Sequence, residues 1–477
     1  MLTIPITPSV EFDAALVRRL TQAGPRYTSY PSADRFQSAF GEADYRAGVA
    51  ARRADAGAKD GAGQARGLSL YVHIPFCQSL CYYCGCNKII TQDRSKAVQY
   101  LDYLDREIAL QGELFAGMNQ VGQLHFGGGT PTYLDDAQMA RLLASLRSRF
   151  EFASDEEGEF SVEIDPRTVT PERMHVLRRQ GFNRVSLGIQ DFDPAVQRAV
   201  NRIQPYVQTA AVLAAARAAG FRSVSVDLIY GLPCQSPASM AVTLEQVIGL
   251  KPDRLALYNY AHMPHLFKSQ GLIDAATLPD PETKLAMLAL CIERLTAAGY
   301  VYIGMDHFAL PEDDLARSQR EGRLHRNFQG YSTHAESDLV ALGVSAISSV
   351  GGCYSQNDKS LQAYYAALDA GRLPVARGVT LDEDDHLRRT VIGKLMCDFE
   401  LDFDALDAPG GAAAYFAADL ERLRPLEEQG LLCLGSKGIK VKLRGRLLIR
   451  NICMAFDRYL HAQADTGPPP RRYSATI

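Results

Sequence analysis

Three cysteines in the segment YVHIPFCQSLCYYCGCNK, Cys77, Cys81 and Cys84, stand at the spacing C-x3-C-x2-C. Thiolates bind iron–sulfur clusters, and a cube of four irons held by three of them keeps one iron without a protein ligand. That open iron is where an outside molecule can bind and react. The spacing therefore predicts a catalytic 4Fe-4S cluster. Its open iron would be chelated by the amino and carboxylate groups of S-adenosylmethionine (SAM), and one electron from the cluster would cleave the sulfonium carbon–sulfur bond. A fourth cysteine, Cys86, closes the loop as Cys-Gly-Cys. A structural zinc site on all four is the competing reading, but such sites use two separated pairs of ligands, which this loop does not offer. The spacing alone leaves the role of Cys86 open.

The second chemical element is LHFGGGTPT, where Gly127, Gly128, Gly129 and Thr130 follow an apolar run. Glycines let the backbone approach a ligand closely, and their amides and carbonyls suit the amino-acid end of SAM. Further polar residues close short apolar runs. Glu163 and Asp227 could accept from ribose hydroxyls or an ammonium, Gln190 could meet an adenine or ribose, and Arg202 could pair with a carboxylate. Tyr71 and His73 alternate on the run before the cysteines and should face the same way.

The elements that must position these groups are short β-branched runs alternating with amphipathic stretches. Strands are expected at 68–74, 123–126, 160–164, 184–189, 223–229, 254–260 and 300–306, and helices at 96–116, 136–149, 171–180, 207–219, 239–249 and 281–298. Such alternation implies a parallel sheet. The cysteine loop, the glycine run, Glu163, Gln190 and Asp227 all fall at C-terminal strand ends, which favours a barrel with its site at that mouth. Beyond about residue 380 the pattern becomes helix, helix, a hairpin in LLCLGSKGIKVK and a final helix over 443–461, a winged-helix-like domain. Residues 1–67 read as an N-terminal arm with a mobile Ala/Gly-rich insertion at 51–67, residues 68–375 as the barrel domain, and 376–477 as the mainly helical accessory domain with its tail.

Composition excludes several classes. The chain of 477 residues carries a net charge of −4, which gives no reason to expect nucleic acid or a membrane surface as partner. The basic run Lys437, Lys440, Lys442, Arg444, Arg446 and Arg450 reads as a solvated face. No export signal and no long uncharged apolar run is present, so a cytoplasmic protein is expected. The six isolated cysteines read as buried small hydrophobes.

With these residues in place, a family resemblance becomes specific. RYTSYP, YVHIPFCQSLCYYCGCNK, LHFGGGTPTYL, VEIDPR, GIQDF, VNR, VDLIYGLP, YNYAHMP, GMDHFA, LHRNFQGY and RLLIRNIC resemble the oxygen-independent coproporphyrinogen III oxidases, radical SAM enzymes of haem synthesis. The resemblance covers nearly the whole chain. It implies a monomeric cytoplasmic α/β enzyme with a partial (β/α)6, TIM-like barrel. It also implies the reaction: two propionates of coproporphyrinogen III become vinyl groups of protoporphyrinogen IX, with CO2, methionine and 5′-deoxyadenosine released. A low-potential, flavodoxin- or ferredoxin-like donor would supply electrons.

Carried over by motif, Cys77, Cys81 and Cys84 bind the cluster and Cys86 does not. The cluster-bound SAM would meet Tyr71, the Tyr83 backbone, Gly128, Glu163 and Ile347. A second SAM would meet Gly129, Thr130, Gln190, Arg202, Asp227 and Ala261. Tyr71, His73 and Glu163 are the expected catalytic residues, and Arg26, Arg35, Arg326 and Gln329 the candidates for the substrate's carboxylates. A haem-binding chaperone of the same superfamily is the alternative. Cys86 and the RYTSYP arm argue for the oxidase, since chaperone-type relatives generally lack both.

Overall fold

The computed structural model describes residues 9–54, 67–334, 337–464, 473 and 476. Most of the insertion expected at 51–67 lies outside the described residues.

The first strand shows why the chain folds as it does. In β1 (Leu68–Ile74) the side chains of Leu68, Leu70, Val72 and Ile74 have no exposure, while Ser69, Tyr71 and His73 point to the opposite face. Each buried aliphatic side chain contributes about 1.5–3 kcal/mol. The tyrosine and histidine are free to line a site because their neighbours hold the strand.

Five more strands follow in the expected alternation with helices: β2 (Gln120–Gly128), β3 (Glu159–Ile164), β4 (Arg184–Gln190), β5 (Ser223–Tyr230) and β6 (Arg254–Asn259). The helices between them are Ser95–Leu114, Asp136–Arg147, Pro171–Arg179, Tyr206–Ala218 and Pro237–Leu250, and Pro281–Ala297 follows β6. Their starts are legible in the sequence. Asp135 and Ser236 form capping boxes with Gln138 and Ser239, and Asp280 caps its helix through Thr283.

After β6 come β7 (Val301–Gly304) and β8 (His307–Ala309), the hairpin β9 (His325–Asn327) and β10 (Gly330–Ser332), then β11 (Asp338–Leu342), β12 (Ile347–Val350), β13 (Cys353–Asn357) and β14 (Val375–Thr380). Among the described residues one thirteen-stranded sheet runs β7-β8-β6-β5-β4-β3-β2-β1-β11-β12-β13-β14, with Glu151–Phe152 paired beside β2. Strands β1 to β6 and β11 are parallel. The two flanks, β8 with β7 and β12 to β14, are antiparallel. This is the partial, unclosed barrel expected, with two differences. The run at 300–306 does not pair with β6, because β8 inserts between them. Four strands at 338–380 extend the sheet on the other side without having announced themselves.

The C-terminal domain contains helices Glu383–Asp398 and Ala417–Glu428, the hairpin β15 (Leu432–Gly435) with β16 (Gly438–Val441), and helix Ile449–Met454. The three arginines of its basic run are engaged rather than solvated. Arg444 pairs with Asp13 and Glu11, Arg446 donates to the Ser9 carbonyl, and Arg450 is buried and donates to the carbonyls of Gly24, Pro25 and Thr476. These arginines strap the N-terminal arm to the domain. The isolated cysteines also divide: Cys291, Cys353, Cys397 and Cys453 are buried, but Cys234, in a turn, and Cys433, on the outward face of β15, are exposed.

Candidate active site

Five C-terminal strand ends, those of β1 to β5, meet at one mouth. His73 and Ile74 of β1 lie beside Gly127 and Gly128 of β2, and the Gly129 and Thr130 amides donate to the carbonyls of Ile74 and Phe76 at 2.8 and 2.9 Å. The glycine run is thereby sewn to the root of the cysteine loop. Gly128 has φ +109°, and a Cβ there would sit 2.6 Å from the His73 ring, so only glycine fits.

The cysteine loop has little regular structure, and its carbonyls are held from outside. Asn201 donates to Leu80, Gln270 to Tyr83, and Lys88 and Ser269 to Cys84, at 2.8–3.1 Å. Each expected cluster ligand has a donor or a partner. Thr130 Oγ1 lies 3.3 Å from Cys77 Sγ, and Arg167 and Arg202 each place a guanidinium nitrogen 3.5 Å from Cys81 Sγ. The Cys86 thiol, followed by the Lys88 ammonium, pulls Cys84 down to about 6, while donation to Cys84 pushes the Cys86 thiol well up. Burial raises Cys77 to about 11. Among the described residues no three His, Cys, Asp or Glu side chains are drawn together as one metal ion requires. A cluster that brings its own sulfides spans thiolates set wider apart, and guanidinium and hydroxyl donors around sulfur suit its negative charge. The residues fit that group.

Tyr71 and His73 do face the same way. Tyr71 Oη lies 3.2 Å from His73 Nδ1, and His73 Nε2 lies 3.0 Å from the Asn87 carbonyl. A carbonyl only accepts, so Nε2 carries the proton and Nδ1 accepts from the tyrosine. Burial lowers the His73 pKa, which keeps the ring neutral.

Glu163 on β3 opens onto the mouth, with Oε1 3.1 Å from His125 Nε2. Burial opposes its charge, but His125 and the Gly128 amide outweigh burial and hold the carboxyl below its usual range. A fixed carboxylate of this kind suits an ammonium or a ribose hydroxyl. Asp227 on β5 accepts from Ser186 at 3.3 Å, and burial followed by the Glu163 charge raises it to about 7. Gln190 closes β4 with φ +67°. The buried Arg202 donates to Asp165 at 3.0 Å and to the Gly188 carbonyl at 2.6 Å as well as to Cys81, so it links the strand end to the cysteine loop. Ala261, just beyond β6, lines a cavity of about 300 Å³ with Arg26, Asn259, Lys284 and Asp306. Ile347 begins β12 and packs with Phe36 and Tyr354.

Three contributors went unnoticed in the sequence. His125 stands directly opposite Tyr71 in the β1–β2 register and stacks on it at 5.9 Å. Asp165 and Arg167, in the VEIDPR run just after Glu163, carry the contacts to Arg202 and Cys81. Strand register was the available signal for the histidine.

The four carboxylate candidates separate. Arg26 is consumed by Asp306, and Arg35 pairs with Asp34 and rests over the Tyr459 ring. Arg326 and Gln329 lie together in the β9–β10 hairpin.

The chain matches the Radical SAM superfamily over residues 71–247, the stretch that carries the cysteine loop and strand ends just described, and the HemN C-terminal domain over residues 381–448. Barrel, cysteine loop and glycine run together define a radical SAM enzyme. The relationships then become particular. An oxygen-independent coproporphyrinogen III oxidase of Escherichia coli strain K12 is 50% identical over 95% of this chain and 97% of its own, and one of Pseudomonas aeruginosa is 48% identical over the same shares. The solved coproporphyrinogen III oxidase of Escherichia coli, described as a radical SAM enzyme, superposes with a TM-score of 0.88, covering 94% of this chain and all of that one. The chain belongs to the oxygen-independent coproporphyrinogen III oxidase family.

Proposed function

We propose that the chain performs the oxygen-independent oxidative decarboxylation of two propionates of coproporphyrinogen III, giving protoporphyrinogen IX. Each propionate loses one β-hydrogen atom, then CO2 and one electron, and becomes a vinyl group. The supporting observation is the near-full-length relationship to oxidases of that name, which takes in both the barrel and the C-terminal domain. It favours the oxidase over the haem-chaperone alternative.

Cys77, Cys81 and Cys84 would hold the 4Fe-4S cluster, with Cys86 outside the ligand set. Glu163, Tyr71, the Tyr83 backbone, Gly128 and Ile347 would hold one SAM, and Gly129, Thr130, Gln190, Arg202, Asp227 and Ala261 a second. When bound, cluster and SAM supply one-electron cleavage chemistry and hydrogen-atom abstraction. The chain's own residues do the rest. Arg167 and Arg202 neutralise charge beside Cys81, His125 fixes the Glu163 carboxylate, and the Tyr71–His73 pair presents a neutral, hydrogen-bonded wall at the mouth.

A low-potential electron carrier is the expected partner, and the protein is read as a cytoplasmic monomer; among the described residues no helix is long and apolar enough to cross a membrane. The test is an anaerobic assay of iron- and sulfide-reconstituted protein with SAM, reductant and coproporphyrinogen III. Protoporphyrinogen IX and 5′-deoxyadenosine should form together. Deoxyadenosine without protoporphyrinogen would overturn the substrate, and neither product from cluster-replete protein would overturn the reaction class.

A further inference from the structure

Only Phe328 and Gln329 lie between β9 and β10, so the hairpin is tight, with Arg326 directly opposite Tyr331. The Arg326 guanidinium rests 4.8 Å above the Tyr331 ring, and His307 of β8 meets the same ring edge-on at 5.2 Å. At the tip, Phe328 packs against Phe36 and against Tyr354 of β13, at 6.3 and 5.5 Å. The hairpin thus touches both antiparallel flanks of the sheet and bridges the side on which the barrel does not close.

Hydrogen-bond donors are left over beneath this bridge. Arg326 Nε and Nη1 and Gln329 Nε2 are buried without a partner, as is His307 Nδ1. Among the described residues Arg326 makes no ion pair, whereas Arg26 nearby has Asp306. Unpaired buried donors, above all on a charged group, are costly, and a fold retains them where a ligand completes them. The local charge is positive: Arg26, Arg326 and Arg450 act in this region against Asp306. Burial, then the Arg326 charge, holds His307 down to about 3, so its ring is neutral. Tyr258 of β6 connects the region to the mouth. Its ring meets His307 edge-on at 6.2 Å, and it lies within the fields of Asp227, Asp306 and Glu163.

We propose that Arg326, with Gln329 and His307, forms an anion subsite that takes one propionate carboxylate of the tetrapyrrole substrate. The assignment rests on the reading of coproporphyrinogen III as substrate. A carboxylate brings one negative charge and two acceptor oxygens, which matches a single unpaired guanidinium flanked by an amide and an imidazole nitrogen. The hairpin then closes the barrel side and anchors the substrate at once.

The test is titration of reconstituted, SAM-loaded holoenzyme with coproporphyrin III, the stable oxidised form of the substrate, alongside turnover of coproporphyrinogen III. Arg326→Gln should raise Kd and KM by at least about tenfold, since a buried charge partner is lost. Cluster content, SAM affinity and melting temperature should stay at wild-type values. Arg326→Lys should fall between the two, and millimolar guanidinium should restore part of the binding to Arg326→Ala. Unchanged Kd and KM in Arg326→Gln, with an active wild type, would overturn the subsite and leave the oxidase reading intact. Weak binding accompanied by loss of cluster or of melting temperature would place Arg326 in the fold and also overturn it. A wild-type holoenzyme that neither binds nor converts the tetrapyrrole would overturn both.

Discussion

His125 Nε2 lies 3.1 Å from Glu163 Oε1 while its ring stacks on Tyr71, so one side chain on β2 sets two residues expected to touch SAM. His125→Phe keeps the stack and deletes the hydrogen bond. Loss of one charge-assisted bond should weaken SAM binding by about tenfold, read by equilibrium dialysis of reconstituted protein. Combined with Glu163→Gln the second change should add little, because the two share one interaction. Full additivity would show that His125 acts elsewhere.

Cys81 receives two guanidinium contacts, and neither depends on the sulfur for its place, since Arg167 and Arg202 also pair with Asp165. Cys81→Ala should therefore fold with a near-native circular dichroism spectrum yet retain only background iron and sulfide after reconstitution. Stoichiometric iron in the variant would remove Cys81 from the ligand set.

Asp227 gives a pH signature. Its folded pKa, about 7, lies above the unstructured value of 3.8 because burial and then Glu163 disfavour the charge. The folded state therefore holds the proton more tightly. The associated stability is full below about pH 3.8 and is lost as pH rises through about 7. Without SAM, the wild type should lose melting temperature relative to Asp227→Asn between about pH 4 and 7, with no further divergence above that range. Parallel profiles would contradict this.

The strap on the arm is open to the same kind of test. Arg450 is 2% exposed and donates to three carbonyls. Arg450→Met leaves those three acceptors unpaired and should cost about 3 kcal/mol in urea unfolding, at roughly 1 kcal/mol for each net hydrogen bond. Trypsin should then cut the arm near Arg26 faster than in the wild type. An unchanged cleavage rate would mean the arm is held by its other contacts alone.

What could be read from the sequence was what repeats locally. The alternation in LSLYVHI showed which residues of β1 share a face, and the amphipathic runs placed the helix starts at 136, 239 and 281 to within two residues of Asp136, Pro237 and Pro281. The strands at 338–357 did not show, because ALGVSAISSVGGCYSQN mixes serines and glycines too freely for a period to emerge. The hairpin HRNFQGYS is polar and short for the same reason. His125 looked like any histidine in a strand until its register beside Tyr71 was known. The basic run failed as a pattern because its partners lie more than four hundred residues away, at Glu11, Asp13 and Pro25.

That separation bears on the order in which the molecule assembles. A ribosome delivers the arm more than four hundred residues before Arg444 to Arg450, while the barrel strands between them can pair as they emerge. The carbonyls of Gly24 and Pro25, beside Arg26, are then fastened by Arg450, made more than four hundred residues later. The doorway of the barrel is therefore hung after its walls, and a chain stalled before residue 444 holds a complete cysteine loop while the arm still lacks the contacts of Arg444 to Arg450.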